Sequence, residues 1–143
     1  KNYKKKIDES TKTFQAIRIF VNKEISELIE GVIKATKILK PGGKLIVISF
    51  HSIEDKIVKF FFKNFSKNHS RSNKYLPENI NNLSLFESYK NRIIKATSKE
   101  VKSNPRSRSA KLRVAIRSAD EFGDPKELIK KFKYLTDLEG RIA

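Results

Sequence analysis

The segment LKPGGKLIVISFHSIEDKIVKFFF, residues 39–62, decides the fold class of this 143-residue chain. Pro41 and the two glycines that follow it end a helical pattern. The run KLIVISF at 44–50 is short, apolar and without polar alternation, which is typical of a strand covered on both faces of a parallel sheet. The next stretch has apolar residues at helical spacing, namely Ile53, Ile57, Val58, Phe61 and Phe65, with Phe60 and Phe62 widening the stripe. Helix, turn, buried strand, turn and helix predict an αβα segment of a doubly wound α/β fold.

The residues before this segment predict helix. An apolar stripe at helical spacing runs through residues 11–39 and is longer than an average helix. Asn22 could cap a second helix within it. We therefore expect either one long helix or two helices in tandem. The stripe consists of Phe14, Ile17, Val21, Ile25, Leu28, Val32 and Leu39.

The residues after this segment predict a loop followed by two strands. Residues 66–91 are rich in Ser, Asn and Lys and are interpreted as a long surface loop. Strands are expected within 92–98 and 111–118 as a C-terminal strand pair. The second strand alternates, which predicts one buried face and one basic or small face. The buried face would be Leu112, Val114 and Ile116, and the other would be Arg113, Ala115 and Arg117.

The C-terminal residues predict a basic helix. Asp124 is a suitable N-cap, Pro125 suits the first helical position, and Glu127 is placed for a capping box. The predicted organisation is a main domain over residues 1–119 and a basic helical tail over 120–143.

Composition indicates the partner. The chain has 32 Lys and Arg against 16 Asp and Glu, a formal net charge of +16. Such a charge predicts a polyanionic partner, and nucleic acid is favoured over a membrane surface because no apolar run is long enough to span a bilayer. The chain has no cysteine, which fits a cytoplasmic protein and excludes a disulfide framework and thiolate metal sites. It also has no methionine, even at position 1, so we expect it to be a piece of a longer protein.

The turn after the first strand carries candidate catalytic residues. Ser52, Glu54 and Asp55 fit a capping box and the positive end of a helix dipole, which could be their whole role. That pattern leaves His51 unexplained. Ligands in open α/β sheets bind outside the carboxyl ends of the strands, where His51 falls. His51, Glu54 and Asp55 are therefore candidate catalytic residues and Ser52 a candidate substrate contact, although a loop histidine is more often structural.

A second candidate site is the basic stretch NPRSRSAKLR at residues 104–113. Arginine side chains and serine hydroxyls are the groups that hold phosphate oxygens. The alternative is a solvated basic loop that only keeps the protein soluble. The candidate substrate contacts are Asn104, Arg106, Ser107, Arg108, Ser109, Lys111 and Arg113.

The first predicted helix carries two further candidate residues. Gln15 and Arg18 lie three residues apart on one face of the first helix. They are further candidate substrate contacts, although polar residues on an exposed helix face are the default. The sequence has neither a Gly-rich phosphate loop nor the spacing of a metal site.

Three blocks of the sequence together resemble one enzyme family. TKTFQAIRIFVNKEISEL, LKPGGKLIVISFHSIEDKIVKFFF and NPRSRSAKLRVA resemble, in this order, the RsmH (MraW) family of S-adenosylmethionine-dependent 16S ribosomal RNA cytosine N4-methyltransferases. The resemblance covers about residues 4–117. The departures are small: Asp8 and Glu9 replace a usual His-Pro pair, and Lys56 replaces a common arginine. Residues 66–91 have no counterpart.

The resemblance implies a Rossmann-like class I methyltransferase domain, of which this chain is the C-terminal portion. It also implies methyl transfer from S-adenosylmethionine to the exocyclic N4 of a cytosine in the decoding region of 16S rRNA. The family's cofactor site, with its Gly-Gly-His loop, is expected mainly in the half of the protein that precedes this chain, so no residue here is assigned to the cofactor and the chain is expected to be inactive alone. The alternative is a non-catalytic basic RNA-binding module.

Overall fold

The computed structural model describes residues 9–67, 83–87, 89 and 92–140. Two helices, α1 (Glu9–Val21) and α2 (Glu24–Ile38), precede strand β1 (Lys44–Ser49) and helix α3 (Ser52–Asn64). After them come strand β2 (Ile94–Lys95), helix α4 (Ser98–Ser103), a 3-10 helix (Pro105–Ser109), strand β3 (Lys111–Ile116) and helix α5 (Lys126–Gly140).

The first apolar stripe forms two helices in tandem, and the break lies at Lys23. Lys23 has a left-handed backbone conformation with φ of 51° and caps α2 without a side-chain hydrogen bond. The predicted cap, Asn22, instead donates from its amide to Glu24. The open N–H groups of α2 donate to the carboxylate of Glu139 in α5. Ile25 N lies 2.9 Å from Oε1, and Ser26 N lies 2.8 Å from Oε2. The cap of α2 therefore comes from the far end of the chain.

The Pro-Gly-Gly turn ends the helical region as predicted. Gly42 has φ of 78°, a conformation that favours glycine, and follows Pro41 as in a type II turn. Gly43 N donates to Lys40 O at 2.9 Å and closes the turn. The chain then enters β1 directly.

The three strands form a sheet in the order β1-β3-β2. Strand β3 is antiparallel to both neighbours, so β1 and β2 run in the same direction. The predicted C-terminal strand pair is confirmed, although β2 is short because Ser98 already begins α4. Among the described residues, β1 pairs only with the antiparallel β3, so the parallel neighbour expected from its sequence is not seen.

The predicted faces of β3 were wrong. Arg113 is 2% exposed and Arg117 is 5% exposed, on the same buried face as Ala115. Arg117 can be buried because its guanidinium donates to the backbone oxygens of four residues. Arg113 can be buried because it donates to the carboxylate of Asp55. The face predicted to be buried, formed by Leu112, Val114 and Ile116, is only half-buried.

The opposite face of the sheet is bare, contrary to the prediction that β1 is covered on both faces. Ile46 is 56% exposed, and Ile48 and Ile94 are each 54% exposed. The register places Ile48 and Ile94 beside Leu112 on this face. The apolar stripe of α1 is exposed too, with Phe14 at 71%. None of the described helices is both long and apolar enough to cross a membrane.

The core lies on the face of the sheet that α3 covers. Phe61 and Phe62 of α3 pack edge to face on Phe86, with ring centroids 5.3 Å and 5.1 Å apart. Phe132 of α5 joins the same core cluster and contacts Phe60. Phe86 belongs to the stretch interpreted as a surface loop, and it anchors that stretch in the core. Residues 68–82, 88, 90 and 91 of that stretch lie outside the described residues.

Candidate functional site at the carboxyl end of strand β1

His51 is the N-cap of α3, one residue earlier than the predicted capping box. Its Nδ1 accepts a hydrogen bond from Glu54 N at 3.4 Å. In return, the Glu54 carboxylate accepts from His51 N at 3.2 Å and from Phe50 N at 2.8 Å. Ser52 is therefore the exposed first residue of the helix and not its cap. Capping explains the position of His51, which the sequence pattern had left unexplained.

The other imidazole nitrogen of His51 faces two carboxylates. His51 Nε2 lies 3.3 Å from Glu54 Oε1 and 3.8 Å from Glu24 Oε2, and the side chain is 7% exposed. It makes no hydrogen bond of good geometry within the described part of the chain. Since Nδ1 is an acceptor, the proton of the neutral ring is on Nε2. The ring therefore directs an N–H group toward the acids.

Arg18 completes this cluster from α1. Its Nε and Nη2 donate to Glu24 Oε1 at 2.7 Å and Oε2 at 3.1 Å, a two-pronged pairing that ties α1 to α2. Burial raises the pKa of Glu24, but hydrogen bonds from Arg18 and Asn22 outweigh it and leave that pKa below its ordinary value. The predicted RNA contact through Arg18 therefore competes with an existing ion pair.

The same cluster has the composition of a metal site but not its chemistry. Glu24, His51 and Glu54 offer three ligand atoms within 4.8 Å of one another. Both oxygens of Glu24 are already bound to Arg18. The nitrogen of His51 that faces the acids carries the proton, so its lone pair is not available to a cation. We assign the cluster to holding the junction of three helices together.

Asp55 is bound to two cations from β3. Arg113 Nε donates to Asp55 Oδ1 at 2.7 Å and Lys111 Nζ to Oδ2 at 3.1 Å. Arg113 also donates to the hydroxyl oxygen of Tyr89. Burial raises the pKa of Asp55, but these hydrogen bonds outweigh it and the pKa lies below the ordinary value. Asp55 and Arg113 are thus a buried structural pair, and their roles in catalysis and phosphate binding stay predictions.

The Asn-Pro-Arg-Ser stretch forms a tight basic turn before β3. Asn104 Oδ1 accepts from Arg106 N at 3.2 Å, and the buried Ser107 hydroxyl donates to Asn104 O at 2.8 Å. These bonds shape the turn and engage Asn104 Oδ1 and the hydroxyl proton of Ser107. Arg106, Arg108 and Ser109 are left exposed. Neither arginine forms an ion pair with any residue that the structure describes.

The two predicted sites meet in one depression of about 250 Å³. Its lining brings together five predicted residues, and the cation of Lys95 adds to those of Arg108 and Lys111. Lys95 could not be predicted from its sequence context, because its place depends on the pairing of β2 with β3. The other predicted residues, including Gln15 on α1, do not line the depression. The lining consists of Phe50, His51, Ser52, Lys95, Arg108, Ser109, Ala110 and Lys111.

The depression does not fit S-adenosylmethionine. The donor carries a positive sulfonium, and the cations of Lys95, Arg108 and Lys111 at this surface would repel it. The described residues also include no Gly-rich turn between a strand and a helix of the kind that holds a nucleotide. The arrangement is suited to an anion with a planar group beside it, as a nucleotide offers.

Comparison with known proteins gives one family. Residues 1–118 match the model of the MraW methylase family. Curated relatives of this chain carry the name "Ribosomal RNA small subunit methyltransferase H". That of Ehrlichia ruminantium (strain Gardel) is 51% identical over 112 residues, 78% of this chain and 35% of the relative. Those of Wolbachia sp. subsp. Brugia malayi and Allorhizobium ampelinum are 49% identical (80% of this chain, 31% of the relative) and 46% identical (81% and 34%). The chain thus spans about a third of the length of these curated relatives.

Proposed function

Because the chain belongs to the MraW methylase family, we propose that it forms the substrate-side portion of a cytoplasmic enzyme that methylates small-subunit ribosomal RNA. The proposed reaction transfers the methyl group of S-adenosylmethionine to the exocyclic N4 of a cytosine in the decoding region of 16S rRNA. The donor pocket is proposed to lie mainly outside this chain, so the chain alone is inactive. The partners are 16S rRNA or the small ribosomal subunit.

The observation that carries this proposal is the basic depression at the carboxyl end of β1. Three cations and the hydroxyl-bearing residues Ser52 and Ser109 line it. Contacts of this kind position nucleic acid through its phosphates without reading the sequence. The depression also lies at the end of a strand, where α/β proteins bind their ligands.

Two features of the sheet support a Rossmann-like domain that continues beyond this chain. Strands β1 and β2 run in the same direction, and α3 lies between them in sequence, as in a parallel β-α-β unit. The bare face of the sheet carries Ile46, Ile48 and Ile94, each more than half exposed. Exposed apolar surface of this kind is usually covered by another part of the molecule. We propose that further residues of the family's domain cover it.

We propose that the turn between β1 and α3, which contains His51, positions the substrate instead of taking its proton. The amine of cytosine is a poor nucleophile because its lone pair is delocalised into the ring, so correct positioning contributes much of the rate. His51 and Glu54 hold the turn through their reciprocal hydrogen bonds, and Asp55 ties it to β3. The turn thereby places Ser52 in the lining of the depression.

The function is tested by reconstitution. Small ribosomal subunits that lack the modification are incubated with labelled S-adenosylmethionine and this chain, alone or with the N-terminal two thirds of a relative. We expect no transfer by the chain alone, and N4-methylcytidine in the rRNA with both parts, identified by mass spectrometry of the nucleosides. A methyl group on carbon 5 of the base would refute the assigned chemistry. RNA binding without any transfer by the pair of fragments would favour the non-catalytic RNA-binding module.

The role of His51 is tested by two substitutions in the same reconstituted assay. Asparagine also serves well as an N-cap, so His51→Asn keeps the turn and removes the imidazole. His51→Ala removes both. Methylation that survives in His51→Asn and falls in His51→Ala supports positioning. Loss of methylation in both variants, with the stability of His51→Asn retained, would show that the imidazole takes part in the reaction.

A further inference from the structure

We propose that the depression beside β1 binds one phosphodiester of the RNA backbone, with Lys95 and Arg108 as its charged ligands. This inference rests on the proposed function and specifies which group of the RNA the site takes. Lys95 carries much of the argument, and neither the sequence pattern nor the family resemblance had singled it out.

The pairing of β2 with β3 creates a repulsion that an anion would relieve. Lys95 and Lys111 are direct cross-strand neighbours. Like charges in this position repel each other and destabilise the pairing. Asp55 binds Lys111, whose Nζ lies 3.1 Å from Oδ2, but it shares its single negative charge with Arg113, so it relieves this repulsion only in part. Lys95 has no acidic partner within the described ranges, so its charge is available to a ligand.

The remaining lining supplies hydrogen-bond donors from two directions. Arg108 is exposed and unpaired among the described residues, and the 3-10 helix that carries it is fixed by the Asn104 and Ser107 hydrogen bonds. From the other side, Ser52 opens α3, and its backbone N–H meets no acceptor in the part of the chain that the structure describes. Open N–H groups, serine hydroxyls and an arginine together are the usual donors to phosphate oxygens.

One neighbouring side chain favours a nucleotide of single-stranded RNA over free phosphate. Phe50 lines the same depression and is 56% exposed. Unpaired bases stack on exposed aromatic rings, each next to its own backbone phosphate. An aromatic ring beside a cationic depression therefore matches one nucleotide unit.

The test measures binding of a fluorescent single-stranded RNA oligonucleotide to the full chain by anisotropy, across about 50 to 200 mM salt. The double variant Lys95→Gln/Arg108→Gln removes both charges. We expect its affinity at the lowest salt to fall about fivefold, the upper range for exposed ion pairs. The slope of log K against log salt should become less negative by about 0.7, the value for one phosphate of a single strand. Phe50→Leu should weaken binding with an unchanged slope.

The control variant is Lys37→Gln. Lys37 is an exposed cation in the last turn of α2, before the amino end of β1 and away from the depression. It should keep the affinity and slope of the unmodified chain apart from a small general loss of charge. All substituted side chains are exposed, and circular dichroism of each variant confirms that the fold is retained.

The outcomes separate this inference from the proposed function. Equal salt slopes for the double variant and the control would overturn the phosphate site, even if the reconstituted enzyme methylates rRNA. A reduced slope in the double variant alone supports the site, even if no methylation is found. Inorganic phosphate, added at constant ionic strength, should compete poorly with RNA. Competition by phosphate that is unaffected by Phe50→Leu and matches RNA in affinity would identify a free-phosphate site and overturn the assignment to RNA.

Discussion

Replacement of Asp55 by alanine would remove the acid that permits Arg113 to be buried in the sheet. Arg113 is 2% exposed, and Asp55 accepts from its Nε at 2.7 Å. After the substitution the guanidinium keeps its contact with Tyr89 but loses its countercharge. An uncompensated buried charge costs far more than the ion pair itself contributes, because water can no longer solvate it.

The expected loss is about 3 kcal/mol of unfolding free energy, the lower end for a broken buried pair. We take the lower end because Lys111, the second cation, is half-buried and regains water when Asp55 is removed. A typical domain has a stability of about 5–15 kcal/mol, so the change is large. Urea unfolding followed by circular dichroism measures it. Asp55→Ala/Arg113→Met should lose less than Asp55→Ala, since it removes both charges.

The same pair predicts how stability depends on pH. The pKa of Asp55 is lower in the folded chain than in the unfolded chain. Its stabilising contribution is therefore complete above the unfolded pKa of about 4 and is lost as the pH falls through the lower, folded pKa. Unfolding measured below pH 4 should show a smaller further loss in Asp55→Ala/Arg113→Met than in the unmodified chain.

The control for Asp55→Ala is Glu30→Gln, which breaks the exposed ion pair of Glu30 with Lys34. Exposed pairs contribute little, so this variant should unfold at the same urea concentration as the unmodified chain. If Asp55→Ala behaved like this control, Arg113 would be solvated in solution and the buried pair would not exist as described. If the double variant lost more than Asp55→Ala, the argument from an uncompensated charge would be wrong.

Substitutions at four residues test local features by the same unfolding assay. Glu139→Ala should lose about 1–3 kcal/mol, because it leaves the buried N–H groups that it caps on α2 without an acceptor; an unchanged stability would place the α5 end elsewhere. His51→Ala should lose about 1 kcal/mol of stability because it removes the N-cap of α3, and His51→Asn should keep most of that stability. Equal losses in the two variants would argue against capping. Gly42→Ala should lose about 1 kcal/mol of stability because Gly42 has a positive φ. Gly31→Ala should gain about 0.5–1 kcal/mol of stability, because Gly31 lies inside α2 with open space around it. Changes of the same sign in both variants would contradict the turn.

The segment 39–62 predicted its own structure well because its signals are local. A proline, two glycines and a short apolar run each act within a few residues, and the turn, β1 and α3 follow as expected. The cap was displaced by one residue because His51 and Ser52 are both possible caps. Only the extended backbone of His51, with φ of −128° and ψ of 167°, decides between them.

The faces of β3 could not be predicted from alternation alone. The strand has apolar residues on one face and two arginines on the other, and the usual rule places the apolar face inside. The arginines are buried because distant parts of the chain supply their hydrogen-bond acceptors. Asp55 of α3 accepts from Arg113, and the carbonyl of Leu85 accepts from Arg117. Lys95 illustrates the same limit, since only the register with β3 brings it to the depression.

One discrepancy between sequence and structure remains. Strand β1 lacks polar alternation, although one face of its sheet is exposed. The strand has Leu45 and Val47 toward the core and Ile46 and Ile48 on the exposed face. A strand that faced water on one side would carry polar residues there, as antiparallel sheets usually do. Two isoleucines in those positions are therefore suited to a buried surface, and this chain matches only about a third of each relative's length. The sequence of β1 thus fits the continued domain proposed above, in which both faces of β1 and the edge that is unpaired among the described residues would be covered.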